Sequence, residues 1–185
     1  MNNTINHHDI HYELVEAVRR QDRTAQFELY NLYAKAMLNT SFRIVRDLAE
    51  AEDVVQESFV KAFHGIEKFR GDSTFGSWLK RIVVNGALNA LKRKKELADI
   101  DEEGVELVED VPIDCDGLNL DQIKAAVTQL PDGFRLVFTL YMIEGYDHKE
   151  IAEIMEITES TSKSQLNRAK VKLRELLKTM YSYER

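Results

Sequence analysis

Apolar residues recur at three- and four-residue steps through most of this chain, the period of helices that each bury one face. The run DLAEAEDVVQESFVKAF, from Asp47 to Phe63, carries the pattern clearly. Leu48, Ala51, Val55, Phe59, Ala62 and, beyond it, Ile66 form one stripe, while Asp53, Gln56, Glu57 and Val60 share another. Asp47 and Glu50 have the capping-box spacing, in which each side chain satisfies an amide beside the other. Upstream, Tyr12 to Arg20 predicts a short amphipathic helix through Leu14, Val15 and Val18. Asp22 then caps a long helix whose apolar positions are Tyr30, Tyr33, Ala34, Met37, Leu38, Ser41, Phe42 and Val45. The period breaks at GIEKFRGDST, a loop that holds Phe69 among polar groups. Asp72 or Thr74 caps the next helix, which buries Phe75, Trp78, Leu79, Ile82, Val83 and Ala90. Gly86 within it costs on the order of 1 kcal/mol against alanine, so close packing is the reason to expect for it.

After a long interruption the helical period returns. Leu120, Ile123, Ala126, Val127 and Leu130 predict a helix that stops at Pro131; Phe134, Val137, Phe138 and Tyr141 predict another that stops near Gly145. Asp147 and Glu150 repeat the capping-box spacing ahead of Ile151, Ala152 and Met155, and Thr158 caps a further helix after a turn of about three residues. Two helices joined so tightly are the signature of a helix-turn-helix, whose second helix enters a major groove. That second helix carries Lys163, Arg168, Lys170, Lys172, Arg174 and Lys178, and its first turns offer Ser160, Thr161, Ser164, Gln165 and Asn167, groups able to reach bases and phosphates.

Charge changes the picture. The 185 residues have a net charge of -7, which taken evenly would argue against a polyanionic partner. It is not even: residues 1–95 carry a net +3, residues 96–118 carry 10 acidic groups and no base, and residues 119–185 are neutral. Both helical parts are therefore free to meet nucleic acid, and the acidic stretch between them is expected to be an extended tether or a strand of negative charge for a basic channel. In the first part, Arg81, Asn85, Asn89 and Arg93 fall four apart along one helix face, and Lys92, Arg93, Lys94 and Lys95 close that helix. Four cations exceed what the helix dipole needs, which favours a face that meets phosphates and base edges.

Other chemistry finds little support. His7, His8 and His11 lie in a polar terminus without a carboxylate or cysteine at a ligand spacing, so a frayed end is expected there, not a metal site. Cys115 is the only cysteine, which excludes an internal disulfide. No apolar run is long enough for a membrane span, and the polar N-terminus lacks the apolar core of a secretory signal, so the cytoplasm is the expected location. Neither a phosphate-binding loop nor a nucleophile-base pair stands at a motif spacing.

Four motifs occur in order: DVVQE at Asp53 to Glu57, FRGDSTFGSWLKRIVVN at Phe69 to Asn85, LPDGFRLVF at Leu130 to Phe138, and EIAEIMEIT with the STSKSQLNRAK helix behind it. Through them the chain, from Asp22 to Leu177, resembles the small, two-domain extracytoplasmic-function group of bacterial RNA polymerase sigma factors. The resemblance implies an all-α protein without enzymatic activity or cofactor: two small helical domains at residues 9–95 and 119–180, an acidic extended linker at 96–118, and a helix-turn-helix in the second domain. It implies that Asp53, Gln56 and Glu57 bind the clamp helices of the polymerase largest subunit. The loop holding Phe69, Arg70, Ser73 and Thr74 would receive an extruded non-template base of the promoter -10 element, with Trp78, Lys80, Arg81, Asn85 and Asn89 along the strand. Extruding a base costs on the order of a few kcal/mol, which a protein pocket can repay. Ser160, Thr161, Lys163, Ser164, Gln165, Asn167 and Arg168 would face the -35 duplex, the linker would thread the polymerase channels, and the flap of the second-largest subunit completes the contact. The family implies a monomer when free, with an anti-sigma factor as its usual partner. Three positions depart from the family pattern: Asn89 where aspartate is common, Glu156 in place of a turn glycine, and Ser162 at a usually apolar position. A stand-alone helix-turn-helix regulator, the other reading, would use residues 119–185 and leave the first half idle.

Overall fold

The computed structural model describes residues 10–95 and 120–183, and their regular structure is entirely helical. In the first part, α1 (Tyr12–Arg19), α2 (Arg23–Val45) and α3 (Leu48–His64) precede a 3-10 turn (Ile66–Lys68) and α4 (Phe75–Lys95). The second part holds α5 (Leu120–Thr128), α6 (Asp132–Phe138), a π-helical turn (Thr139–Ile143), α7 (His148–Met155) and α8 (Glu159–Tyr183). The chain divides into two compact units, α1 to α4 in one and α5 to α8 in the other. The acidic stretch and Cys115 lie outside the described residues, as do His7 and His8.

In the first unit α2, α3 and α4 pack on one another, and α1 covers α2. Asp22 caps α2 as its sequence predicts, accepting from the amides of Thr24 and Ala25. The buried stripe of α2 is displaced from the expected one: Leu29 and Ile44 join Ala25, Met37, Thr40, Ser41 and Val45, while Tyr30 and Phe42 remain exposed. This helix is apolar on more than one side, so its period does not single out the inner face. On α3 the core stripe is Ala51, Val54, Val55, Ser58, Phe59 and Ala62, and Leu48 is 56% exposed at the outer edge of the first turn.

The cap of α3 is half of the expected box. Asp47 accepts from the Glu50 amide at 3.1 Å, but the Glu50 carboxylate turns to Lys94 Nζ, 3.3 Å away at the end of α4. An ammonium in reach outcompetes a backbone amide for that carboxylate. Gly86 has the close-packing reason its position suggested. A Cβ there would stand 3.2 Å from Val54 Cγ1 and 3.3 Å from Ser58 Oγ, so α3 and α4 approach each other across a bare backbone. Gly76, the second residue of α4, leaves room in the same way for Tyr33, whose Cε1 would lie 2.6 Å from an added Cβ.

His11 does not fray. Its Nδ1 is 2.8 Å from the Tyr33 hydroxyl and the two rings meet edge to face, which ties the start of α1 to α2.

In the second unit α8 is the central helix, packing on α5, α6 and α7. Its inner stripe is Ser162, Leu166, Ala169, Leu173 and Leu177. After α6 the helix widens, with the Glu144 amide donating to the Thr139 carbonyl five residues back, and Gly145 at φ 81° then turns the chain. Tyr141, expected in the core, sits on the outside of this wide turn with Met142 and Ile143. The capping box at α7 is complete: Asp147 accepts from the Glu150 amide and Glu150 accepts from the Asp147 amide. Glu156 ends α7 in the left-handed conformation at φ 59°, the geometry for which glycine is the least costly residue.

Candidate nucleic-acid interface

Two faces of the first unit carry polar side chains outside the core. Asp53, Gln56, Glu57 and Val60 are all exposed on the outer side of α3, an acid and amide strip that continues into an apolar residue. Glu57 makes an exposed ion pair with Lys61, 3.2 Å away, and its carboxylate stays largely in solvent. On α4, Arg81, Asn85, Asn89 and Arg93 are exposed one turn apart, which places guanidinium and amide donors along one line. Lys92 and Lys94 extend the positive end, although Lys94 is partly engaged by Glu50 and, at 3.9 Å, by Asp47.

The loop before α4 stands on an aromatic base. Phe69 is 5% exposed, with its ring 5.3 Å from Trp78 and 6.0 Å from Phe75. It supports the loop from beneath and has no open face for a base to stack on. The exposed groups are Arg70, Asp72, Ser73 and Thr74, with Gly71 left-handed at φ 79° between the first two. Thr74 caps α4 by accepting from the Ser77 amide at 3.2 Å, so one hydroxyl both starts the helix and faces solvent. Trp78 and Lys80 are partly buried at the loop's edge.

In the second unit, α7, the residues Glu156 to Thr158 and α8 form the tight helix-turn-helix. Thr158 caps α8 by accepting from the Thr161 amide at 3.0 Å. Ser160 and Lys163 are exposed on the first turns, and Thr161, Asn167 and Arg168 are partly exposed. Lys163 is held only loosely, with Glu159 at 3.8 Å. Ser164 differs from expectation: it is 6% exposed and its hydroxyl donates to the Thr161 carbonyl at 3.0 Å, so it is spent within the helix and not offered to a groove. Gln165 also faces inward, its Oε1 buried against Gly133 of α6.

Ser162 and His148 form a polar pair inside the motif. Ser162 is fully buried and shares a 2.9 Å hydrogen bond with His148 Nδ1, while the imidazole stacks on Tyr141 with centroids 4.5 Å apart. Desolvation, then the positive charge of Lys163, lowers the His148 pKa below its ordinary value. The neutral imidazole is therefore the form that fits between the two helices. A serine at the position of an apolar period is the sequence signal for such a buried partner. His148 itself carries no local signal.

Helical throughout the described residues, with a helix-turn-helix in one unit and adjacent acid-amide and basic-amide faces in the other, the chain has the make-up of a transcription protein that reads DNA. Sequence comparison identifies the family. The family model described as Sigma-70 region 2 matches residues 29–96, and the one described as Sigma-70, region 4 matches residues 120–173. The chain is 36% identical to the RNA polymerase sigma-H factor of Pseudomonas aeruginosa over 171 residues, which cover 85% of this chain and 89% of that protein. It is 33% identical to the ECF RNA polymerase sigma-E factor of Escherichia coli K12, over 85% of this chain and 88% of that one. A solved structure of the sigma factor RpoE in complex with the anti-sigma factor NepR from Bartonella quintana is similar over 82% of this chain and 95% of that one, with a TM-score of 0.57 and 25% identity. The chain belongs to the extracytoplasmic-function group of RNA polymerase sigma factors in the sigma-70 family. That family initiates transcription by binding, without enzymatic chemistry of its own. Among the described residues no helix is long and apolar enough to cross a membrane.

Proposed function

We propose that this sigma factor docks on core RNA polymerase through the α3 strip of Asp53, Gln56 and Glu57 and reads a promoter with two separate surfaces. The observation that carries the reading is the exposure of two chemically distinct faces on one small unit, acid and amide on α3 and base and amide on α4. The α4 line of Arg81, Asn85 and Asn89, with the loop residues Arg70, Ser73 and Thr74 and the flanking Trp78 and Lys80, suits a single strand of the -10 element: cations for phosphate and amides for base edges. Phe69 serves this surface by holding the loop up. Ser160, Thr161, Lys163, Asn167 and Arg168 suit the major groove of a -35 duplex, and Ser164 and Gln165 hold the reading helix in place. The two domains of the reading are residues 9–95 and 119–180, and the acidic segment 96–118 between them suits a basic polymerase channel.

A cytoplasmic location follows from this work on polymerase. The RpoE structure contains an anti-sigma factor, and a partner of that kind would act on this chain by covering the same faces. A stand-alone regulator accounts for α5 to α8 alone and leaves the region 2 match over residues 29–96 without a role. The test is promoter-specific transcription from purified core polymerase with and without the chain. Initiation is expected only when both are present, and Gln56→Ala with Glu57→Ala is expected to weaken binding to core while circular dichroism stays unchanged. Tight duplex binding that core does not alter would refute the reading.

A further inference from the structure

Arg19, at the end of α1, lies outside the residues matched to Sigma-70 region 2, and no role in the polymerase or DNA faces calls for it. Its guanidinium nevertheless meets three residues, one on its own helix and two in or directly after the 3-10 turn. Nε stands 3.0 Å from Glu16 Oε1 on its own helix, one terminal nitrogen stands 3.4 Å from Glu67 Oε2 in the 3-10 turn, and the other donates to the main-chain carbonyl of Phe69. The last contact is sheltered, because the Arg19 side chain is only 22% exposed, whereas the Glu67 carboxylate is largely in solvent. A charge-assisted bond to a backbone carbonyl in that setting outweighs the exposed ion pair.

The carbonyl that Arg19 holds belongs to the residue at the foot of the loop. On the side-chain face of Phe69 the ring is fixed by Phe75 and Trp78; on its main-chain face the carbonyl is fixed by Arg19. Beyond this doubly anchored residue come the exposed Arg70, Asp72, Ser73 and Thr74, with Gly71 left-handed at φ 79° among them. Val15 and Val18, both buried, root α1 in the unit, so the guanidinium projects from a rigid support.

We propose that Arg19 is a positioning residue for -10 recognition: α1 acts as a brace that fixes where the 69–74 loop presents its polar groups to an extruded base. This rests on the reading of that loop given above. The planar fork is essential to it, since a lysine ammonium has neither the reach nor the geometry to hold the turn and the carbonyl together.

The experiment uses holoenzyme assembled from core polymerase and the full chain, acting on a promoter pool randomised at its -10 and -35 positions, with the transcripts sequenced. In Arg19→Ala the enrichment at one -10 position is expected to fall roughly tenfold, with core affinity and -35 enrichment unchanged. Arg19→Lys is expected to lose less at that same position. Trp78, the only tryptophan, lies 5.3 Å from Phe69 and reports independently: its emission is expected to shift in both variants while helicity is retained. Unchanged -10 preference in a variant that binds core overturns the proposal, as does an equal loss at -10 and -35. If Arg19→Ala does not fold, full -10 discrimination by Arg19→Lys overturns it instead. A wild-type holoenzyme without any -10 preference overturns the loop reading itself, and the brace with it.

Discussion

Lys163 and Ser164 are neighbours on α8, and both are chemically suited to DNA, yet the helix gives them opposite tasks. Lys163 extends into solvent from the first turns, with Glu159 3.8 Å away as a weak tether. Ser164 is buried and spends its hydroxyl on the Thr161 carbonyl. Lys163→Ala is accordingly expected to weaken -35 binding and to reduce the salt dependence by about one released counterion. Ser164→Ala is expected to leave that binding within about twofold, a difference below ~0.5 kcal/mol. Holoenzyme binding to a -35 duplex over a salt series measures both. Composition could not separate the pair, because the position of the inner stripe on α8 depends on what packs behind it. Arg19 was similarly silent in the sequence: its partner is a backbone carbonyl fifty residues away, and carbonyls have no signature.

At the scale of elements, the caps were the most legible features. Asp22, Thr74, Asp147 and Thr158 all act as the spacing of their neighbours predicts, since capping is a contact within three residues. The Asp47 box is only half formed because a lysine from the far end of α4 holds its other member. The apolar period does not single out the buried stripe of α2, where apolar residues occupy more than one side, or the outward Tyr141, where the helix widens to a five-residue repeat. The helix-turn-helix adds a pH dependence through His148. Its pKa is lowered by desolvation, then by Lys163 and less by Lys170, against the opposing pull of Asp147 and Glu159. The folded state therefore favours the neutral ring. Its contribution to stability is present above the ordinary value of about 6.5 and is lost as pH falls through the lowered value. An NMR titration is expected to place the His148 midpoint below that of a free histidine. His148→Gln, which keeps a partner for Ser162, is expected to flatten the acid limb of the second unit's thermal stability.

For the molecule as a whole, the fold class, the two helical parts and the order of the motifs could all be read from the chain, because each depends on local period and local charge. The stripes proposed to meet DNA and polymerase are legible in the sequence as exposed polar faces, apart from Phe69, Ser164 and Gln165, which turn inward, but the supports beneath them are not. Phe69, expected with its loop to meet an extruded base, is a pillar beneath that loop; Ser162, at a usually apolar position, is paired with His148.

Gly86 belongs with these supports. The proposed polymerase face and the proposed strand face lie on different helices, so their separation is the thickness of one helix pair, and that thickness is set where α3 meets α4 over a missing side chain. Gly86→Val would insert branched carbon against Val54 and Ser58, at an expected cost of about 1–3 kcal/mol. Thermal unfolding measures that loss. In the variant that remains folded, core binding is expected to hold while open-complex formation falls, because each face is intact and only their spacing is wrong. A residue that touches neither polymerase nor promoter would then be the gauge block between them, and a single hydrogen in place of a side chain would be its calibration.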